Sequence, residues 1–153
     1  MRIRSTAFHD GETIPEKYTC DGADISPALF FEEVPEEAKS LAFVMDDPDA
    51  PRGTFVHWVL WDLDPSIDNL PEGLPQKPTT TNGISCKQGR NGFDTVGYRG
   101  PCPPGKTHRY RLTLYALDTR LELDPGSAEK ELEKAMEGHI LERSRLRARY
   151  GHS

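Results

Sequence analysis

No stretch of the sequence approaches the roughly 18 consecutive apolar residues of a membrane-spanning helix, and Met1-Arg2-Ile3-Arg4 leads into no apolar core of the kind a secretory signal carries. The expectation is a cytoplasmic protein without stable membrane insertion. Cysteine is scarce. Cys20, Cys86 and Cys102 make an odd number, which argues against a disulfide framework and leaves open whether Cys86 and Cys102, flanking a glycine-rich loop, form a pair. Neither a CxxC spacing nor an HExxH pattern occurs, and His9, His57, His108, His139 and His152 show no paired Cys/His spacing, so no metal site and no cofactor are expected. Positive charge is also in deficit. Nineteen lysines and arginines against 25 carboxylates give a net charge of −6, which points away from nucleic acid. What basic charge there is gathers at one place: Arg143, Arg145, Arg147 and Arg149 give residues 142–153 a net +3, leaving −9 for the rest. A basic helix end that complements the helix dipole is the plain reading, and docking of an acidic partner or a membrane surface is the alternative.

What is present suits one domain over residues 1–153. Leu41-Ala42-Phe43-Val44-Met45 is a short apolar run bounded by charge and reads as a strand buried on both faces. It ends at Asp46-Asp47-Pro48-Asp49-Ala50-Pro51, where two prolines remove ladder donors. In the next strand, residues 57–63, a period of two places His57, Val59, Trp61 and Leu63 on one face. Residues 108–116 repeat the arrangement with His108, Tyr110, Leu112, Leu114 and Ala116. A histidine heads each apolar row, so the two strands together predict a polar mouth over a hydrophobic floor, the composition of a small-molecule pocket. Between them, residues 65–105 hold seven prolines and seven glycines, which prevents long regular elements, while Phe93 and Tyr98 favour an ordered, packed loop. Residues 127–150 read as helical, with Ser127 as the cap, a stripe through Leu132, Ala135, Met136, Ile140, Leu141, Leu146 and Tyr150, and a break at Gly138.

Residues 100–107, Gly-Pro-Cys-Pro-Pro-Gly-Lys-Thr, match the phosphate-loop expression GxxxxGK[ST]. That loop works through successive backbone N–H groups and a following helix. Here Pro101, Pro103 and Pro104 have no N–H and a strand follows, so the match carries no triphosphate site. Taken with its neighbours the segment has another resemblance. Asp47-Pro48-Asp49-Ala50-Pro51, His57-Trp58, Gly100-Pro101-Cys102-Pro103-Pro104 and His108-Arg109-Tyr110 resemble the signature of the phosphatidylethanolamine-binding protein family. Tyr18-Thr19-Cys20-Asp21-Gly22, Ile25-Ser26-Pro27 and Ala135-Met136-Glu137-Gly138-His139-Ile140-Leu141 are similar to its bacterial and archaeal Raf-kinase-inhibitor-like branch, so the likeness runs over nearly the whole chain.

The resemblance implies a mainly β fold, a large central antiparallel β-sheet packed on a smaller sheet in a β-sandwich-like arrangement, with a C-terminal helical segment. It also implies a small anion pocket, which falls on Asp47, Pro51, His57, Gly100, Pro101, His108 and Tyr110, with Asp49 and Arg109 as structural support. A homodimer is implied by the resemblance alone. The chemistry of these residues suits an anion: histidine titrates near neutrality, Tyr110 offers a hydroxyl donor and Gly100 permits close backbone approach. Asp47 beside a phosphate is repulsive unless it orients His57 or His108, holds a ligand amine or is itself protonated, and the orienting role is favoured. Asp49 is expected to shape its loop. Arg109, on the opposite strand face from His108, is expected to clamp that loop through Asp47 or Asp49. Residues 52–56 contain no tyrosine where eukaryotic members have a longer insertion with one. The function expected is a non-catalytic protein that binds a small phosphate-like or phospholipid-headgroup-like anion and regulates a kinase or protease partner. Two alternatives are a protease-inhibitor or interaction module working through the 82–105 loop, and an acid–base or hydrolytic enzyme using Asp47, His57 and His108, although no activated nucleophile or GxSxG elbow is present.

Overall fold

The computed structural model describes residues 1–79 and 83–152. The chain runs β1 (Arg2–Arg4), a 3₁₀ turn (Glu16–Tyr18), β2 (Leu29–Glu32), β3 (Ser40–Asp47), β4 (Phe55–Leu63), β5 (Asn69–Leu70), β6 (Lys87–Gln88), β7 (His108–Leu117), α1 (Glu129–Met136) and β8 (Ile140–Tyr150). Among the described residues these strands form two antiparallel sheets, a small one ordered β1-β2-β5 and a large one ordered β6-β4-β3-β7-β8. β3 is the middle of the large sheet, which is why its apolar run has no polar alternation: both faces are covered. Leu41, Phe43 and Met45 face the small sheet and pack with Trp58, Leu60, Leu112, Leu114, Ile3, Leu29 and Phe31. Ala42 and Val44 face the other way and join Val59, Trp61, Leu132 and Met136 beneath α1. The two-sheet architecture that the family resemblance implied is the one observed.

Three local expectations need correction. The first is the helix over 127–150. It is only eight residues long, opens at Ala128 without a side-chain cap, and Ser127 Oγ instead donates to the Asp124 carbonyl. Gly138, at φ +79°, does end the helical segment, and the chain then becomes β8. Leu146 and Tyr150 lie four apart, a spacing compatible with either period. The deciding signal is the alternation of exposed Arg143, Arg145, Arg147 and Arg149 with Ser144, Leu146, Ala148 and Tyr150, which is the period of a strand. The basic segment is therefore a strand face, with no helix dipole to complement. The second concerns β4. Met45 pairs with Trp58 but Asp46 with Val56, and a further shift separates Leu41–Leu63 from Phe43–Leu60. Each irregularity adds residues to β4 and reverses the side-chain parity around it. Val59 and Trp61 consequently lie under α1, whereas Leu63 is in the core between the sheets. The single row predicted from His57 to Leu63 does not exist. The third is the disulfide, which joins Cys20 to Cys102 across 82 residues, while Cys86 is buried and outside it.

Candidate functional site

At one end of the large sheet, β3 gives way to the loop 48–54, and β4 and β7 begin. The ends of these strands enclose a cleft of about 190 Å³ lined by Asp47, Ala50, Pro51, Phe55, His57, Phe93, Cys102, Pro103, Pro104, His108 and Tyr110. His108 and Tyr110 reach it because they occupy alternate positions at the start of β7, on the face turned towards the small sheet. His57 reaches it through the bulge. Strict alternation from Val59 would send its ring to the helical side, and the extra residue opposite Met45–Asp46 re-aims it towards Tyr110, with ring centroids 5.4 Å apart. The two histidines meet at one mouth as the sequence suggested, but a bulge brings them there.

Both rings are held through Nδ1. His108 Nδ1–H donates to Asp47 Oδ2 at 2.6 Å, a contact between two buried side chains. His57 Nδ1–H donates to the carbonyl of Arg99 at 2.7 Å. Since a carbonyl only accepts, this fixes the proton of neutral His57 on Nδ1 and leaves Nε2 a lone pair. Burial pushes the His57 pKa below its ordinary value, against the opposing pull of the Arg99 carbonyl and the Asp47 carboxylate, so the neutral ring is favoured. Tyr110, 1% exposed, carries the one buried side-chain polar atom among the described residues that has no hydrogen-bond partner, its Oη. Burial, with Asp47 and Asp49 nearby, raises its pKa well above the ordinary range, so the hydroxyl is a donor at any physiological pH.

The supporting contacts are specific. Asp47 Oδ1 accepts from the Asp49 amide at 2.8 Å, an Asx-type turn that sets the course of the chain out of β3. Asp49 in turn accepts from the Arg109 amide and from its guanidinium on two nitrogens, at 2.8–2.9 Å, which ties the loop to β7. The Arg109 guanidinium and amide hold the Asp49 carboxyl far below its usual range. Gly100 and Pro101 are placed differently from the other expected ligand residues. Neither lines the cleft. The Gly100 amide donates to Asp24 Oδ1, a Cβ there would lie 2.1 Å from the Tyr18 carbonyl, and the Pro101 carbonyl accepts from the Cys20 amide. The close approach that requires glycine is thus to the 18–24 segment, and together with the disulfide it fixes the wall formed by Cys102, Pro103 and Pro104.

Sequence reasoning missed the aromatic side of the cleft. Phe55 stacks edge-on against Phe93 at 4.8 Å and lies 5.1 Å from the His57 ring, while the Arg99 guanidinium covers Phe93 at 4.9 Å. A legible signal was Phe55 two residues before His57, but no pattern in the sequence joins it to Phe93, which arrives on the glycine-rich loop. Gly92 allows that approach, since a Cβ there would sit 2.5 Å from the Phe55 ring. Of the 82–105 segment, Asn82 lies outside the described residues, and Phe93 and residues 102–104 are cleft walls, so the loop and the pocket are one structure. No group of three or more metal-ligating side chains occurs among the described residues.

The sequence profile of the phosphatidylethanolamine-binding protein family matches residues 4–151. A UPF0098 protein of Pyrococcus horikoshii is 49% identical over 144 residues, covering 93% of this chain and 72% of its own length. The UPF0098 protein of Methanothermobacter thermautotrophicus is 47% identical over 146 residues, 95% of each chain. The crystal structure of a phosphatidylethanolamine-binding protein homologue from Chlamydia trachomatis superposes with a TM-score of 0.90 at 39% identity, over 99% of this chain and 97% of the other. An Escherichia coli protein described as a member of the mammalian family superposes at 0.91 with 26% identity, over 99% and 98%.

Proposed function

Because the chain belongs to the phosphatidylethanolamine-binding protein family, we propose that its cleft is a receptor for one small phosphate-bearing ligand, and that the protein acts by binding, as a regulator of a kinase or protease partner. The observation that carries this reading is the Tyr110 hydroxyl, which among the described residues is buried without a partner, beside two imidazoles whose Nε2 atoms have no hydrogen bond there either. A buried donor without an acceptor costs about 1–3 kcal/mol, and a phosphate oxygen in the cleft satisfies it. At about 190 Å³ the cleft suits a phosphate with a short substituent and is smaller than the roughly 300 Å³ at which drug-sized sites begin. Phe55, Phe93 and the prolines accommodate that substituent. Among the lining residues Cys102 is tied in the disulfide and the hydroxyl is a tyrosine's, which supports binding over nucleophilic chemistry.

The tautomers also give the binding a sign. In the neutral His57 ring Nε2 accepts, so a fully ionised phosphate gains no donor from it, while a proton on the ligand gives that lone pair a donor. Affinity therefore rises as pH falls from 8 to 6. Calorimetry with inorganic phosphate and phosphoethanolamine at both pH values tests this. The expected result is tighter binding at pH 6 and a loss of about tenfold in Tyr110→Phe, the equivalent of one hydrogen bond to a charged group. Equal affinity in Tyr110→Phe and in His108→Ala overturns the assignment.

A further inference from the structure

A second feature lies away from the cleft, on the face of the large sheet not covered by the small one. β7 and β8 pair in a register that sets Arg109 opposite Arg149 and Arg111 opposite Arg147, with Arg145 opposite Thr113 and Arg143 opposite Tyr115. Six arginines thus share one face of a two-stranded ribbon in a chain whose net charge is −6. Like charges directly opposite on paired strands are destabilising, and local acids relieve only part of it. Arg109 has Asp49, Arg111 has Asp46 and Arg147 has Asp10. Among the described residues Arg143, Arg145 and Arg149 have no carboxylate within 4 Å; they are held by the Tyr115 ring, the Thr113 hydroxyl and the Gly11 carbonyl. All three are exposed.

The surface is concave. A hollow of about 520 Å³ around Arg109, Arg147 and Arg149 shares Arg111 and Arg145 as a common wall with a neighbouring one of about 460 Å³ that ends against α1. We propose that this arginine-floored trough is the docking surface for an extended acidic peptide segment of a partner protein. Residues two apart on a strand are about 6.6–6.8 Å apart, so Arg145, Arg147 and Arg149 match acids at every second position of an extended chain. The line from Arg143 to Arg149 covers about 20 Å, too long for one small anion. The two ends of the trough differ in charge: Glu129 and Glu133 of α1, Glu137 just beyond it and Asp46 line the Arg143 end, so the occupant is acidic over Arg145–Arg149 and basic or neutral beyond. A uniform polyanion meets those carboxylates, a flat lipid surface does not enter a trough, and of the aromatics lining it Tyr110 is buried and Tyr115 is half-buried with the Arg143 guanidinium over its ring, which leaves no open platform for stacking bases.

Fluorescence anisotropy tests this with a labelled peptide of alternating glutamate and threonine closed at one end by two lysines. The expected result is binding that weakens with added salt, falls at least about tenfold in Arg145→Glu/Arg149→Glu, and is unchanged in His108→Ala. Both arginines are exposed and without an ion pair among the described residues, so the variant retains the fold; Arg145→Gln/Arg149→Gln, with a smaller loss of affinity in the same direction, is the check against disruption by the introduced acids. Peptide affinity that ignores both double variants overturns the proposal. So does oligo-deoxythymidine or a phosphatidylserine vesicle bound as tightly as the peptide and lost in the same variants, or sedimentation showing that the face instead joins two copies of the chain.

Discussion

Single atoms decide the behaviour of the cleft. Tyr110 Oη is buried and has no hydrogen-bond partner among the described residues, so its removal separates stability from function. Tyr110→Phe is expected to stabilise the unliganded protein by about 1 kcal/mol, since the packing of the ring is kept and an unsatisfied hydroxyl is removed, and to weaken phosphate binding. Urea unfolding with and without phosphate checks both halves. A stabilised variant with undiminished affinity places the ligand elsewhere. His57 makes its own contribution to pH dependence. Its folded pKa lies below the ordinary 6.5, so just below pH 6.5 the unfolded chain takes up a proton that the folded one does not. The stability associated with His57 is present above that pH and is lost as pH falls through its folded pKa. His152 runs oppositely, because its bond to Asp21 raises its pKa and its contribution is lost as pH rises above 6.5. In His57→Gln the decline of stability between pH 6.5 and 5 is expected to flatten in denaturant titrations, with no change above pH 7.

At the scale of the element, β7 is the case where sequence and structure agree. His108, Tyr110, Leu112, Leu114 and Ala116 alternate without interruption, and the strand is regular over those residues. β4 is the opposite case. Its composition announces a strand, but its bulges are not encoded in any alternation, because Val56 to Leu63 is apolar on both faces apart from His57 and Asp62 and tolerates either parity. The disulfide was hidden for a different reason: Cys20 and Cys102 are brought together by the packing of Gly100 on the 18–24 segment, a contact of high sequence separation with no local signature. The boundary between α1 and β8 was legible in the alternating arginines, but the three-to-four spacing on either side of Gly138 masks it. α1 itself is too short to persist without packing, and it docks through Leu132 and Met136. Leu132→Ala is expected to cost about 2–5 kcal/mol. Hydrogen exchange should show the α1 amides losing protection before those of β3; equal loss in both would mean that helix and sheet open together.

Over the whole molecule, the described parts are joined by one covalent link besides the backbone. The Cys20–Cys102 bridge closes a ring that contains β2 to β6. Cross-links over loops of that size restrict the unfolded chain, with typical effects of about 2–4 kcal/mol. Cys20→Ser/Cys102→Ser is expected to lower stability by that amount, measured as a shift of the urea midpoint against the oxidised protein, and to lower phosphate affinity as well, because Cys102 lines the cleft. A variant that loses stability but keeps its affinity would show that Gly100 and Pro101 hold the wall without the bridge.

The central position of β3 carries a consequence for synthesis. Emerging from the ribosome, this strand finds β4 at once, but its other neighbour, which pairs Leu117 with Ser40 and Arg111 with Asp46, is translated some seventy residues later. Until then a strand apolar on both faces stands as an open edge, the arrangement most prone to pairing with a stranger. The charged and proline-punctuated segments on either side of it, Pro35-Glu36-Glu37 and Asp46-Asp47-Pro48, are placed where they guard a nascent chain against aggregation during that wait.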